Sequence, residues 1–305
     1  MPFARISLTN LLQNVRKEVL EMNETKSYTG ALRAKKILIY FVCTVLAVLS
    51  IFPFWIMFVN ATRNSSDIQS YFSVIPGGML FKNFDTLIHR QNFNILQACL
   101  NSTFVSGSTT VLALYISCLT AYGFFVYRFR LNKPLYTFIL AVLMIPAQVS
   151  AVGFFNFMYT LGLNNTFTPL IIPAAASPAI VFFMRQYMLG SLPLEIVEAA
   201  RIDGAGEFQI FNIIALPLLK PAIATQAIFV FISSWNNLFT PSMILSSQEK
   251  FTMPLLVQLL QSDRFRTDYG TVYLGIALTI LPLFIVYFLL SKHIIRGVAM
   301  GGIKE

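Results

Sequence analysis

Long apolar stretches, each close to 20 residues, recur along this chain from residue 37 to residue 291. A helix needs about 20 consecutive apolar residues to cross a hydrocarbon core about 30 Å thick. Because lipid offers no partner to an open backbone hydrogen-bonding group, each stretch is predicted to be helical. The chain is therefore predicted to be an all-α polytopic membrane protein with six transmembrane helices, at 37–59, 98–127, 135–158, 168–189, 218–240 and 269–291.

The composition agrees with a membrane protein. Of 305 residues, 56% are hydrophobic and only 11% are charged, whereas soluble domains carry about 25% charged residues. This excludes soluble, disordered and disulfide-stapled classes. The three cysteines have no CxxC spacing, and His89 and His293 lie far apart, so no metal site is predicted.

The distribution of basic residues predicts the orientation. With the N-terminus in the cytoplasm, the inside segments hold sixteen of the 22 Lys and Arg residues. This is the positive-inside pattern, and it places both termini in the cytoplasm. It also accounts for the net charge of +9 without a nucleic-acid partner.

Three regions follow from these assignments. Residues 37–292 form the predicted six-helix membrane domain, and residues 293–305 form a cytoplasmic tail. Residues 1–36 are not a signal peptide, because acids are mixed with the bases and no apolar h-region is present. Apolar residues at helical spacing in this segment favour an amphipathic helix on the inner membrane face; a mobile tail is the alternative.

The membrane-spanning stretches contain no acidic residue at depth, and only Arg185 comes near a span end. This weakens a proton- or ion-coupled carrier. No Gly-Lys dipeptide is present, so the chain lacks a phosphate-binding GxxxxGK[ST] loop. If ATP hydrolysis drives transport, a partner subunit must therefore bind and hydrolyse the ATP. A stand-alone passive facilitator is the competing hypothesis, while the absence of GxSxG and HExxH argues against a membrane enzyme.

One inside loop, residues 190–217, is acidic where its neighbours are basic. Ser191 and Pro193 predict the start of a short helix, Gly204 and Gly206 a turn, and Glu207 the start of a second helix. Apolar residues at helical spacing follow beside the carboxylates. A solvated connector does not need such residues, so a docking surface for another protein is the preferred interpretation.

The same loop resembles the EAA loop of ABC importer membrane subunits. The match consists of Glu198-Ala199-Ala200, Gly204, Ile214 and Leu216-Pro217. The stretch from Glu198 to Gly206 looks like the carbohydrate-uptake, maltose-G-like branch. Further agreement comes from the motifs Met144-Ile-Pro-Ala-Gln148, Leu161-Gly-Leu-Asn-Asn-Thr166, Arg185-Gln-Tyr187, Trp235-Asn236 and Arg296-Gly297 through Lys304.

The resemblance implies the type I ABC importer permease fold in the bacterial cytoplasmic membrane. It implies a second homologous permease subunit as heterodimer partner, two copies of an ABC ATPase that bind the ATP and Mg, and an extracytoplasmic solute-binding protein. This chain would itself bind no cofactor. The implied ATPase-coupling residues are Glu198, Ala199, Ala200, Asp203, Gly204, Phe208 and Phe211. The implied tail contacts to the ATPase are Gly301, Gly302 and Lys304.

Polar residues on the fifth span and beside the third suggest a pathway for a polar solute. The candidates are Gln148, Gln226, Ser233, Trp235, Asn236 and Asn237. Amides in lipid must be paired, so these residues either line a wet cavity or pack against another helix. The resemblance aligns the loop 241–268 with a binding-protein contact, and its candidate residues are Pro254, Gln258, Gln261 and Arg264. The implied solute is a sugar, in particular an oligosaccharide; a glycerol-phosphate compound is the alternative.

Overall fold

The computed structural model describes residues 8–90, 93–146, 149–260 and 268–301, with side chains between 35 and 289. Within these ranges the chain is helical, without a strand, as predicted. The α-helices are α1 Leu8–Ala61, α2 Ser65–Ser70, α3 Leu80–Ile88, α4 Ile95–Val126, α5 Asn132–Val142, α6 Ala151–Thr160, α7 Thr168–Ile171, α8 Pro178–Ser191, α9 Leu194–Ile202, α10 Glu207–Gln209, α11 Leu216–Leu218, α12 Lys220–Trp235, α13 Phe239–Ile244, α14 Met253–Leu259 and α15 Tyr269–Gly301. Short 3₁₀ turns cover Ile172–Ala175 and Gln248–Lys250, and a π-helix covers Ile210–Ala215.

Four stretches of the described chain are long and apolar enough to cross a membrane. They are Lys35–Ala61, Ile95–Val126, Thr168–Ser191 and Tyr269–Leu289. A bent pair, in which Glu207–Leu218 and Lys220–Trp235 meet at 79°, is a fifth only if its two arms are counted as one span. The four stretches correspond to the first, second, fourth and sixth predicted spans, and the second arm of the bent pair overlaps the fifth, while the count of six stays a prediction.

The third predicted span differs from expectation. A single helix over 135–158 was predicted, but the described residues form two separate helices, α5 and α6. Pro146 lies between them; it has no backbone N–H to donate and disfavours helical geometry in the preceding residue. At 11 residues, α5 is about 17 Å long at 1.5 Å per residue, too short to cross alone.

The predicted region boundaries at residues 36 and 292 fall inside continuous helices, α1 and α15. By compactness the chain divides into two units, Met1–Met57 and Phe58–Glu305; the three predicted regions stay a prediction. In the first unit the described residues belong to α1, so residues 8–36 are helical. The amphipathic placement of that segment on the membrane stays a prediction.

Helix α4 forms the centre of the second unit. Its small side chains lie on one face, and Ser102, Ser106, Ala113 and Ser117 are each no more than 1% exposed. Such residues allow close approach of neighbouring helices, so the sequence pattern marks a packing face. Towards one end of this face, α4 shares a hydrophobic core with α8 and with the acidic loop of residues 190–217.

Candidate functional site

The acidic loop, residues 190–217, forms two short helices separated by a turn, as the sequence predicts. Helix α9 ends at Ile202, and Gly206 precedes the first residue of α10. Between them Gly204 has φ +82°, in the left-handed region that is strained for residues with a Cβ. The helix start differs from the prediction: Ser191 ends α8, where its Oγ donates to the Tyr187 carbonyl at 2.7 Å, and Pro193 occupies the N-cap position.

A polar cluster holds this turn and joins it to α4. The Arg201 guanidinium donates from Nε to Glu207 Oε1 at 2.6 Å and from Nη2 to Oε2 at 3.2 Å. The hydroxyl of Tyr127, which caps α4, donates to Glu207 Oε2 at 2.5 Å. These donors stabilise the carboxylate, so they lower the pKa of Glu207 below its ordinary value. The three side chains thus connect both short helices to the end of α4.

The inner face of the loop is buried in its own chain. Phe211 is 1% exposed, and its ring centroid lies 5.3 Å from that of Tyr122 and 5.9 Å from that of Tyr115. Val197 and Ala200 are buried as well, at 0% and 8% exposed. Phe211 and Ala200, two of the predicted coupling residues, pack in the core beneath the loop; their part in coupling stays a prediction.

The outer face carries acids beside exposed apolar groups. Glu198, Ala199 and Asp203 are exposed, and the Glu198 carboxylate has no hydrogen bond or ion pair with another described residue. Phe208 is 67% exposed and Ile202 is 87% exposed. The helical spacing did not single out Ile202, because it is the last residue of α9 and its orientation depends on the turn. Large apolar groups this exposed, rimmed by charge, are typical of a protein interaction surface.

The predicted pathway residues divide between interior and surface. Trp235 is 1% exposed, its ring stacks on Phe231, and its indole N–H donates to the Thr279 carbonyl at 3.0 Å. In this structure Trp235 is therefore packed inside the chain, as the packing alternative expects, and its part in a solute pathway stays a prediction. Asn237 Oδ1 accepts from the Thr240 N–H at 3.2 Å at the start of α13.

The remaining pathway candidates differ in exposure. Ser233 and Asn236 are exposed and Gln226 is half-buried, whereas Gln148 lies outside the described residues.

A cavity of about 1490 Å³ was not anticipated from sequence. It lies between the start of α4, α3, α15 and the 3₁₀ turn, and it contains none of the predicted pathway residues. Its polar and aromatic walls are Asn94, Gln97, Asn101, Gln248, Glu249, Lys250, Phe84, Phe93 and Phe167. These residues come from four separate segments, so no local pattern could have grouped them.

The segment leading to α14 is fixed by one asparagine. Asn165 has a left-handed φ of 55°, and its N–H donates to the Ile244 carbonyl at 2.8 Å. Its Oδ1 accepts from the N–H groups of Ser246 and Ser247 at 3.2 and 3.1 Å, and Lys250 Nζ donates to its carbonyl at 2.7 Å. The loop before α14 is thereby held on the segment that follows α6.

The predicted binding-protein contacts follow this fixed loop. On α14 Pro254 is half-buried and Gln258 is exposed, so Gln258 is available at the surface. Gln261 and Arg264 lie outside the described residues, as do the tail residues Gly302 and Lys304; Gly301 is the last residue of α15. Across the described residues, no group of three or more His, Cys, Asp or Glu side chains is arranged to hold a metal ion.

The chain is similar in sequence to membrane components of transport systems. The family described as "Binding-protein-dependent transport system inner membrane component" matches residues 110–300, more than half of the chain. The chain is 33% identical over 262 residues to the arabinooligosaccharides transport system permease protein AraQ of Bacillus subtilis, covering 85% of this chain and 92% of that protein. It is 34% identical over 272 residues to the lactose transport system permease protein LacG of Rhizobium radiobacter, covering 89% and 97%.

A solved structure shares the fold. It is a chain of a bacterial ABC transporter involved in the import of the acidic polysaccharide alginate, with a TM-score of 0.75 and 23% sequence identity. The similarity covers 85% of this chain and 96% of the other. The chain thus shares its fold with a chain of that transporter.

Proposed function

Because the chain belongs to the family of binding-protein-dependent transport system inner membrane components, we propose that it is the permease subunit of an ABC importer whose solute is an oligosaccharide. It is a multi-pass component of the cytoplasmic membrane and a transport subunit rather than an enzyme. The oligosaccharide assignment is supported by the similarity to AraQ and LacG over most of their length.

The observation that carries the importer proposal is the two-sided acidic loop. Its outer face presents Glu198, Ile202 and Phe208 to the surroundings, while its inner face is buried against α4 and α8. A partner that pushes on the outer face therefore moves buried helices as well, because a close-packed interior transmits displacement. In this proposal the partner is a cytoplasmic ATPase, which alone binds the ATP and Mg.

A family member of this kind works with an ATPase and with a solute-binding protein. We propose the following assembly. A second, homologous permease subunit forms a heterodimer with this chain, and two ATPase copies dock on the paired acidic loops. The tail residues Gly301, Gly302 and Lys304 approach the ATPase dimer. ATP-driven closure of that dimer then changes the access of the pathway between the two permeases.

The proposed pathway residues are Gln148, Gln226, Ser233, Asn236 and Asn237, without Trp235, whose ring is packed inside the chain. Gln258, with Pro254, Gln261 and Arg264, is the proposed contact for the solute-binding protein.

Co-expression with the neighbouring transport genes tests the proposal. An ATPase subunit should copurify with the chain, and the complex in liposomes should take up oligosaccharide only with ATP inside. Glu198→Lys should abolish uptake and solute-stimulated ATP hydrolysis without loss of membrane insertion. Glu195→Lys, which changes another exposed acid of α9, is the matched control and should retain most uptake. Normal uptake by Glu198→Lys removes the coupling role, and absence of any copurifying ATPase removes the importer proposal.

A further inference from the structure

Helix α3 is attached to the end of a membrane-spanning helix. Asn83 Nδ2 donates to the carbonyls of Ala61 and Arg63 at 2.8 and 3.0 Å. The Met79 N–H, at the start of α3, donates to the Thr62 carbonyl at 2.8 Å. Ala61 is the last residue of the apolar stretch Lys35–Ala61, so α3 is bonded to the C-terminal end of that stretch.

The start of a second apolar stretch also lies beside α3. Gly270 is the second residue of α15, whose apolar stretch begins at Tyr269. A Cβ on Gly270 would lie within 2.5 Å of Asn83 Nδ2 and 2.3 Å of the Arg63 carbonyl. Backbone and side chain therefore meet at a distance that only glycine permits. The ends of two separate apolar stretches thus contact α3, as is expected of a helix at a boundary between lipid and water.

The surface of α3 is divided into three sectors. Asn83 and Leu87 are buried against the protein. Phe81, Phe84 and Ile88 fall within one narrow arc of a helix with 3.6 residues per turn, and they are 84%, 45% and 47% exposed.

The remaining arc of α3 is polar. It carries Lys82, Asp85, Thr86 and His89, all exposed, with His89 Nδ1 3.1 Å from Asp85 Oδ1. A surface helix of a soluble globular protein has an apolar side that faces the core and a polar side that faces water. An exposed aromatic sector between these two sides is not part of that pattern.

We propose that α3 lies in the outer leaflet of the bilayer, with Phe81, Phe84 and Ile88 inserted at the boundary between headgroups and acyl chains. A short helix with one apolar and one polar exposed face occupies that boundary with its apolar face about 5–10 Å deep. Aromatic side chains are enriched at the same level of membrane proteins. The polar sector then faces the headgroups and water, as its charges require. The proposal depends only on the membrane location of the chain, not on the transported solute.

Spin-label accessibility in the complete importer, reconstituted in phospholipid vesicles, tests this placement. The starting protein has Cys43, Cys99 and Cys118 replaced by serine or alanine and must retain transport. Single cysteines are then introduced as Phe81→Cys and Ile88→Cys on the apolar arc. Lys82→Cys and Thr86→Cys on the polar arc are the matched controls. Collision of the attached nitroxide with oxygen, which concentrates in lipid, is compared with collision with a water-soluble nickel chelate.

The expected result is a ratio of oxygen to nickel collision that is several-fold higher at positions 81 and 88 than at 82 and 86. Low collision with both reagents at position 81 would mean that the second permease subunit covers this face, and it would overturn the proposal. Nickel access at 81 equal to that at 82 would overturn it as well, because the face would then lie in water. If that access disappeared only on addition of the solute-binding protein, the binding protein would be the occupant instead.

Discussion

Arg201 and Glu207 form a two-point ion pair across the Gly204 turn, with Nε–Oε1 at 2.6 Å and Nη2–Oε2 at 3.2 Å. The pair joins the last turn of one short helix to the first residue of the next. Since Tyr127 donates to the same carboxylate, the orientation of the exposed outer face of the loop is set by a link to α4 as well as by the turn itself.

We expect the charge pair to matter more for coupling than for stability. Both side chains are more than one third exposed, and exposed pairs contribute about 0.2–1 kcal/mol. Arg201→Glu should therefore hardly change the thermal midpoint of the complex but should lower the uptake per ATP hydrolysed. The swapped double variant, Arg201→Glu with Glu207→Arg, should recover part of the uptake. Equal uptake in the single and the double variant would exclude a role for the pair itself.

Gly204 and Gly206 provide a matched comparison of backbone strain. A Cβ at either position meets no atom within 4 Å, but only Gly204 has a left-handed φ, of +82°. Gly204→Ala should thus cost about 1–2 kcal/mol through the backbone alone and should reduce uptake. Gly206→Ala should be tolerated. Similar uptake and thermal midpoints for the two variants would contradict a requirement for this turn geometry.

Phe208 and Phe211 are one helical turn apart but have opposite environments, at 67% and 1% exposed. Phe211→Ala should destabilise the subunit by about 3–5 kcal/mol, because it leaves a cavity in the core. Phe208→Ala should leave the thermal midpoint unchanged and weaken binding of the ATPase. Thermal unfolding and copurification of the ATPase measure the two effects separately; the opposite pattern would reverse the assigned roles.

Asn165 should stabilise the loop before α14. Asn165→Ala removes the two bonds that Oδ1 accepts and puts a less tolerant residue at a left-handed φ. The expected loss is about 1–3 kcal/mol, with faster proteolysis within 244–253. Asn165→Gly relieves the backbone but not the side-chain bonds and should lie between Ala and wild type. Asn164→Ala, at an exposed neighbour, is the control and should behave as wild type.

The carboxylate of Asp268 should make the folding stability of the subunit depend on pH. Burial opposes its ionisation, but hydrogen bonds from the hydroxyls of Thr271 and Ser65 and from backbone N–H groups outweigh burial and hold the pKa below its ordinary 3.8. A lowered folded pKa gives a stabilisation that is present above the unfolded pKa and lost as pH falls through the folded one.

The stability difference between wild type and Asp268→Asn should therefore be constant from neutral pH to about 5 and should shrink below about 4. Thermal midpoints measured across this range provide the check. A difference that is unchanged down to the lowest pH would show that the carboxylate charge is not what stabilises the outer loop.

Apolar runs predicted four helices that are long enough to span a membrane, and a fifth if the bent pair counts as one span, because helix length and hydropathy are local properties of the sequence. The third run is interrupted near Pro146, whose effect on the backbone is not visible in hydropathy alone; its crossing of the membrane stays a prediction. Similarly, α3 was not anticipated: nine residues are too few for a hydropathy window, and the three sectors become visible only once Asn83 is bonded to a span end.

In the acidic loop the motif and the turn were predictable, since glycine and helix-capping preferences are local. The division of Phe208 and Phe211 between surface and core was not. It depends on the direction in which α10 leaves the turn, and on the aromatic neighbours Tyr115 and Tyr122, which come from α4. The partners of Glu207 depend on the same long-range geometry.

The hydrogen bond from the Trp235 indole to the Thr279 carbonyl also has a consequence for motion. Sliding α12 against α15 would leave a buried donor without a partner, at a cost of about 1–3 kcal/mol. The two helices should therefore travel as one rigid body during a transport cycle. The hinge that opens and closes the pathway must then lie at other helix boundaries of the assembly, and cross-linking α12 to α15 should leave transport intact.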